Sequence, residues 1–295
     1  MADKLHNLAL RSRFLRAVRD FFYSADFLEV ETSVRIAAPA PEEYIEAVPS
    51  GEKFLRTSPE LEMKCLLADG MQKIFQIGSC FRLGEFGRKH REEFTMLEFY
   101  AAHWDYLTLA DFTASLVMET TRKLFGTTQV EFQGKRYDLG RATFISVDDA
   151  FQRYAKVSAF QADADGSFDE LMVTKVEPEL GREGLTFLID YPANRASLSK
   201  ISEDDPRVAR RWELYLGGVE LANAFGELTD AAEQKMRFLK SAEFRAREKM
   251  ARYPEPEAFY AALDKGLPES SGCALGIDRL VMILCNADNI GEVRA

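Results

Sequence analysis

Cysteine is scarce in this chain of 295 residues. The four present, Cys65, Cys80, Cys273 and Cys285, show neither a C-x-x-C spacing nor a histidine at metal-ligand distance. That pattern argues against a structural zinc site, and the apolar neighbours of each thiol point to reduced core residues of a cytoplasmic protein. Also missing is an apolar signal region at the N-terminus, and no apolar run approaches the ~20 residues needed to span a bilayer. No repeat, low-complexity tract or linker rich in Gly, Ser and Pro occurs. Positive charge is in deficit as well, with 38 Lys and Arg against 48 Asp and Glu and a net charge of −10. This argues against broad, nonspecific nucleic-acid binding, which needs clustered cations to displace counterions. Two local basic groups, Arg11, Arg13, Arg16 and Arg19 and then Arg207, Arg210 and Arg211, read as solvated helix faces, with partner docking as the alternative.

What is present suits one large α/β or α+β domain, or two small ones. Apolar residues at helical spacing from Leu8 to Ser24 predict an amphipathic opening helix. Phe27–Thr32 alternates like a short strand, and the three prolines between Ala37 and Pro49 predict an irregular loop. Ser58-Pro59-Glu60 marks a helix start, with Gly70 as the stop. Lys73–Phe81 and Phe94–Trp104 read as strands, Leu107–Leu124 as a helix, and Val130–Leu139 as a small hairpin. Short helices are expected across residues 145 to 185. Strand patterning returns at Thr186–Tyr191 and Arg211–Asn223, and helices follow at Glu233–Ala251 and Glu257–Lys265. Gly272–Ile277 reads as a small-residue strand running into the helix Arg279–Leu284. Strands paired with sequence neighbours and flanked by helices predict an α+β fold with a mostly antiparallel sheet.

Three segments carry chemistry. Arg82 ends a strand, a charged loop with Arg88 and His90 follows, and Phe94 and Glu98 lie on the return strand. An arginine there forks onto a phosphate, and a neighbouring phenylalanine stacks on a flat heterocycle; a hairpin with a solvated loop is the bland alternative. In the second segment, Glu213 and Glu220 differ by an odd number and face opposite sides of a strand unless a bulge or turn intervenes. Gly217-Gly218 supplies such a break. Paired carboxylates suit Mg²⁺, whereas the bland reading is two surface acids on an edge strand. In the third, Gly272 to Arg279, small residues admit a ligand to the backbone, Asp278 is expected at a helix N-cap, and Arg279 at the mouth of a site. Two arginine clamps, two acids and an aromatic shelf fit adenylation, in which a carboxylate attacks the α-phosphate of ATP and pyrophosphate leaves. Positioning and charge neutralisation suffice for that chemistry.

The run from Phe81-Arg82 through Arg88-Lys89-His90 to Glu93–Tyr100 resembles motif 2 of class II aminoacyl-tRNA synthetases of the lysyl type. Gly272–Arg279 resembles motif 3, and Phe27–Thr32 the end of motif 1. With Leu188–Ala193 and Val219–Asp230, the whole chain is most similar to the elongation factor P–(R)-β-lysine ligases, paralogues of lysyl-tRNA synthetase. The resemblance implies that Arg82 holds the α-phosphate, that His90 and Arg279 hold the outer phosphates, and that Phe94 stacks on adenine with Arg279 closing the other face. It further implies that Glu213 and Glu220 carry Mg²⁺, and that Glu60, Glu98, Tyr100, Asn223 and Glu227 line a pocket for lysine or β-lysine. The acceptor it implies is a lysine of elongation factor P rather than tRNA, and the assembly a homodimer.

A single catalytic domain over residues 1–295 is expected, because the motif-1-like helix begins near residue 8 and leaves no room for an anticodon-binding barrel. Ala274 stands where lysyl synthetases usually have Gly; its methyl crowds an α-amino acid and favours an amine displaced by one carbon. Two positions depart from the pattern. Ser33 replaces the proline that ends motif 1, and Gly84 replaces the motif 2 glutamate, with Glu85 following as a possible substitute. The rival readings are an asparagine-synthetase-like adenylating enzyme and a non-catalytic regulatory subunit.

Overall fold

The computed structural model describes residues 2–295. Helix α1 (Ala2–Ser24) leads into strand β1 (Leu28–Glu29), and a small sheet forms from β2 (Arg35–Ile36), β3 (Pro49–Ser50) and β4 (Lys53–Leu55). Next come α2 (Glu60–Ala68), β5 (Lys73–Phe81), β6 (Glu93–Ala102), α3 (Tyr106–Phe125), β7 (Gln129–Phe132) and β8 (Lys135–Ser146). Residues 147–179 run through short turns of helix that include α4 (Val147–Ala150), α5 (Ala159–Asp165) and α6 (Phe168–Leu171). The chain closes with β9 (Gly184–Pro192), β10 (Val208–Leu216), β11 (Val219–Gly226), α7 (Ala231–Arg247), α8 (Glu257–Lys265), β12 (Ser270–Gly276) and α9 (Ile277–Leu284).

The main sheet has nine strands in the order β1-β5-β6-β12-β11-β10-β9-β8-β7. Only β1 with β5 and β8 with β9 pair parallel, so the α+β, mostly antiparallel expectation holds. Cross-strand partners project to the same side of a sheet, and successive residues to opposite sides. One side carries the row Phe75, Phe99, Cys273, Ala224, Trp212 and the row Leu97, Leu275, Ala222, Leu214, Phe187. These pack with α1, α3 and α9 into the main core. The other side is flanked by two smaller cores, one of α2, α7 and α8 residues and one of the 147–180 insertion against β9 and β10. Between them the sheet face stays open to a ligand.

Local chemistry sets the element ends. Asp105 accepts the Leu107 N–H to start α3, and Gly126 ends it in a left-handed turn. Helix α2 begins one residue later than its signal indicates, with Pro59 as the N-cap rather than the first helical residue and Ser58 Oγ accepting the Glu60 N–H at 3.3 Å from just ahead of it. The strand expected over Phe27–Thr32 shrinks to Leu28–Glu29, because later backbone donors turn to side chains: Thr32 to Gln76 and Ser33 to Glu62. That second bond explains Ser33, since a proline has no N–H to give Glu62.

Two expectations need correction. Asp278 is not the N-cap of α9, a place taken by Gly276. It lies two residues further in, buried, where its carboxylate accepts the Thr95 N–H at 2.9 Å and pairs with Arg11 and Arg294. The basic groups are divided: Arg13, Arg16 and Arg207 stay exposed as a solvated face requires, while Arg11, Arg19 and Arg211 turn to partners. Arg11 is spent on Asp278 and Arg19 on Glu29, Arg207 pairs with Asp205 at the surface, and Arg211 turns into the sheet's open face.

Candidate active site

On the open face the register aligns Gln76, Glu98, Ala274, Asn223 and Glu213 in one row across five strands. The next row on that face runs Tyr100, Gly272, Phe225, Arg211. Bringing Glu213 and Glu220 together takes two devices. Gly217 and Gly218, at φ of +59° and +71°, make the tight turn that returns β10 as β11. Leu214 then pairs with Ala222 while Tyr215 pairs with Glu220, leaving Leu221 as an unpaired extra residue. That bulge restores Glu220 to the face that holds Asn223.

One end of the face is an acidic pocket. The Tyr100 hydroxyl donates to Glu98 Oε1 at 2.6 Å. Lys64 of α2, with only 1% of its side chain exposed, donates to Glu60 Oε1 at 2.6 Å and meets Glu227 Oε2 at 2.5 Å as an ion pair. Glu98 Oε2 and Glu227 Oε1 are buried without a hydrogen-bond partner. Such acceptors are costly to leave bare and ready for a ligand's N–H groups. Burial, reinforced by the Glu60 charge, pushes Glu98 up to about 8. Burial likewise lifts Glu227 to about 7 against the opposing pull of Lys64. An ammonium entering between them favours the charged forms and reverses both shifts. Gly272 makes the convergence possible, since a Cβ there would stand 2.1 Å from the Tyr100 ring and 2.6 Å from Glu227 Oε1.

The other end is cationic. Arg279 Nη2 lies 2.8 Å from His90 Nε2, and Nη1 donates to the Glu220 carbonyl at 3.0 Å and meets its carboxylate at 3.3 Å. Burial and the Arg279 charge lower the His90 pKa, as suits a neutral ring accepting from the guanidinium. The Arg82 guanidinium lies 5.1 Å from the centre of the Phe94 ring, and its buried Nε has no partner. Glu85 approaches Arg82 at 3.7 Å. Gly84, at φ +78°, occupies a backbone conformation that would strain a glutamate, and its N–H bonds Glu92. The loop has therefore moved its acid one residue along and turned it back to Arg82.

Between the two ends stand Glu213 and Glu220. Glu213 is held by Arg211 and by the Tyr215 hydroxyl, each at 2.6 Å. Burial and the charge of Glu213 raise the pKa of Glu220. Mutually repelling acids are what a divalent cation relieves, and Mg²⁺ needs only one or two protein carboxylates when phosphates complete its shell. Among the described residues no group of three or more metal-ligating side chains forms a closed metal cage.

The proposed ATP, metal and amino-acid residues thus lie on this face or its rim, whereas Asp278 is buried against Thr95, Arg11 and Arg294, and Arg88 turns outward to Asp288. Sequence reasoning missed others. Lys64 follows Glu60 by four residues, a spacing that reads as a solvated helical pair. Arg211, placed in a basic cluster, holds Glu213 and Asn223 and lies 4.3 Å from the centre of the Tyr191 ring. Glu177 faces Glu213 and Glu220, and Glu42, on the proline-rich loop, faces Arg82 and Glu60.

With this geometry in hand, the comparisons agree with one another. A family model for class II tRNA synthetases (D, K and N) matches residues 2–295. The elongation factor P–(R)-β-lysine ligase of Hamiltonella defensa subsp. Acyrthosiphon pisum (strain 5AT) is 37% identical over 307 residues, covering 99% of this chain and 94% of that protein. Ligases of the same name from Pectobacterium carotovorum subsp. carotovorum (strain PC1) and Proteus mirabilis (strain HI4320) are 37% and 36% identical, each over 98% of this chain and 94% of the relative.

Proposed function

Since the chain belongs to the elongation factor P–(R)-β-lysine ligase family of class II tRNA synthetases, we propose that it joins (R)-β-lysine or lysine to elongation factor P at the expense of ATP. A substrate carboxylate oxygen attacks the α-phosphorus and pyrophosphate leaves. The acceptor lysine nitrogen then attacks the acyl carbon, AMP departs, and the nitrogen gives up a proton. Arg82 and Arg279 neutralise charge on the phosphates, His90 supports Arg279, Glu85 steadies Arg82, and Phe94 supplies the shelf for adenine. Glu60, Glu98, Tyr100, Asn223 and Glu227 receive the two ammonium groups, and the Ala274 methyl, in the row between Glu98 and Asn223, favours the displaced amine of the β-isomer. Glu213 and Glu220 would hold Mg²⁺, which supplies charge neutralisation at the phosphates when bound.

The observation that carries the reading is the pair of bare, buried carboxylate oxygens, Glu98 Oε2 and Glu227 Oε1, on the same face as two phosphate-ready arginines. ATP–pyrophosphate exchange with lysine, β-lysine and aspartate tests the first step; a best response to aspartate sinks the assignment. Mass spectrometry of elongation factor P after incubation with ATP and each lysine isomer tests the second. Retained exchange in Glu220→Gln would remove the metal role from that residue.

The chain acts, on this reading, as one catalytic unit without tRNA. A homodimer through α1 and the sheet edge at β1 is supported by the exposed apolar surface of Tyr23 and Leu28 there. Four free thiols suit a cytoplasmic setting, and among the described residues no helix is long and apolar enough to cross a membrane.

A further inference from the structure

The acidic pocket already contains an ammonium of its own. Lys64 is among the most deeply buried side chains of the protein, yet it touches neither solvent nor the phosphate end. Its Nζ joins Glu60 of α2 to Glu227 just past the end of β11, at 2.6 and 2.5 Å. Burial alone would lower the pKa of such an amine, but the charges of Glu227 and Glu60 outweigh that and raise it, so it is a fixed cation. When Glu60, Glu98 and Glu227 are all in the carboxylate form that a bound dication favours, one fixed cation leaves two negative charges uncompensated. Two oxygens of this cluster, Glu98 Oε2 and Glu227 Oε1, are buried without a hydrogen-bond partner. A substrate with two ammonium groups cancels that remainder.

We propose that Lys64 is a specificity-determining positioning residue, a built-in third ammonium that trims the pocket's charge to match a doubly cationic amino acid and fixes Glu60 and Glu227 to receive it. It never touches the reacting atoms. The inference rests on the proposed function, because it presumes that a diamino acid occupies this pocket. With Lys64 removed, the pocket holds three negative charges against a ligand bearing two positive ones. The surplus is relieved by retaining a proton, so substrate binding shifts to higher pH. The other titratable groups facing this cluster are Tyr100 on β6, beside Glu98, the thiols of Cys80 on β5 and Cys273 on β12, near Glu98, and Glu42 on the loop, which faces Glu60.

The test is ATP–pyrophosphate exchange as a function of pH with Lys64→Met, which keeps the length and loses the charge. We expect KM for the diamino acid to rise about tenfold or more while KM for ATP stays within about twofold. The pH at which the diamino-acid KM reaches its plateau should move up by about one unit. In Lys64→Ala, added methylammonium should restore part of the loss, whereas tetramethylammonium, which lacks N–H donors, should not. An unchanged diamino-acid KM and pH profile in Lys64→Met overturns the inference. If that variant does not fold, Lys64→Arg decides: it should keep the wild-type pH profile, and a shifted profile overturns the inference. Wild-type protein that exchanges only with aspartate would remove the proposed function and this inference together; diamino-acid exchange by the wild type with an indifferent Lys64→Met removes the inference alone.

Discussion

The acidic end of the site and its arginine end differ in where their charges are anchored. Glu98 and Tyr100 stand on a central strand and Lys64 on a helix packed against it, all almost wholly buried. Arg82, Glu85 and His90 stand at a strand end and on the loop beyond it, and remain partly exposed. At the acidic end the desolvation cost is met in part inside the protein, by a lysine that belongs to the pocket, and in part left to the ligand. At the cationic end the arginines rest on replaceable acceptors, Glu220 and Glu85. One end is built to recognise a shape and a charge count, the other to exchange one anion for another.

The sharpest way to separate the ends is to damage one and read both. Arg279→Ala should cut ATP–pyrophosphate exchange by about 10²- to 10³-fold while leaving the thermal shift produced by lysine alone in place. Loss of both would mean the ends are not separable. Gly272→Ala attacks the other side, since its Cβ meets Tyr100 and Glu227. Urea unfolding should register a loss of about 1–3 kcal/mol, and isothermal titration should lose lysine binding but retain binding of a non-hydrolysable ATP analogue. A smaller effect is expected at the row between the ends. Ala274→Gly should move the ratio of kcat/KM values toward α-lysine over β-lysine by about 1–3 kcal/mol, and an unmoved ratio refutes the methyl's role.

The weakest effect is the pH dependence. Glu98 and Glu227 are lifted from 4.5 to about 8 and about 7, so the free folded protein holds protons that the unfolded chain has released. Their contribution to stability is therefore full below pH about 4.5 and lost as pH rises through 7 to 8. Binding of a dication needs the ionised forms and strengthens over the same interval. Melting curves from pH 6 to 8.5 should show the unliganded midpoint falling while the increment from saturating lysine grows; parallel curves would contradict the shared origin of the two trends.

Much of the fold is legible in the sequence because it is written in local terms. The strand Lys73–Phe81 and the helix Glu257–Lys265 match their observed bounds, the helix closed by Gly266 at a φ of +112°. The site is legible wherever a motif fixes both identity and spacing. What escapes are side chains whose direction depends on tertiary packing. Lys64 and Glu60 have the spacing of a solvated pair, and only the arrival of Glu227 from a strand far along the chain makes them a buried triad. Arg211 looks like surface charge until its register with Phe225 turns it onto the open face. Asp278 looks like a cap because the helix begins two residues earlier than its pattern suggests.

Leu221 changes how the chain tolerates inheritance. It contacts no proposed ligand, and most apolar replacements there would be repacked within the core. Losing the codon altogether leaves the register intact, because Glu220 would then stand two residues from Asn223 and simple alternation would keep both on one face. A lineage can drift at this position by substitution or by deletion, whereas pairing the full strand without its bulge would set Glu220, three residues before Asn223, on the opposite face.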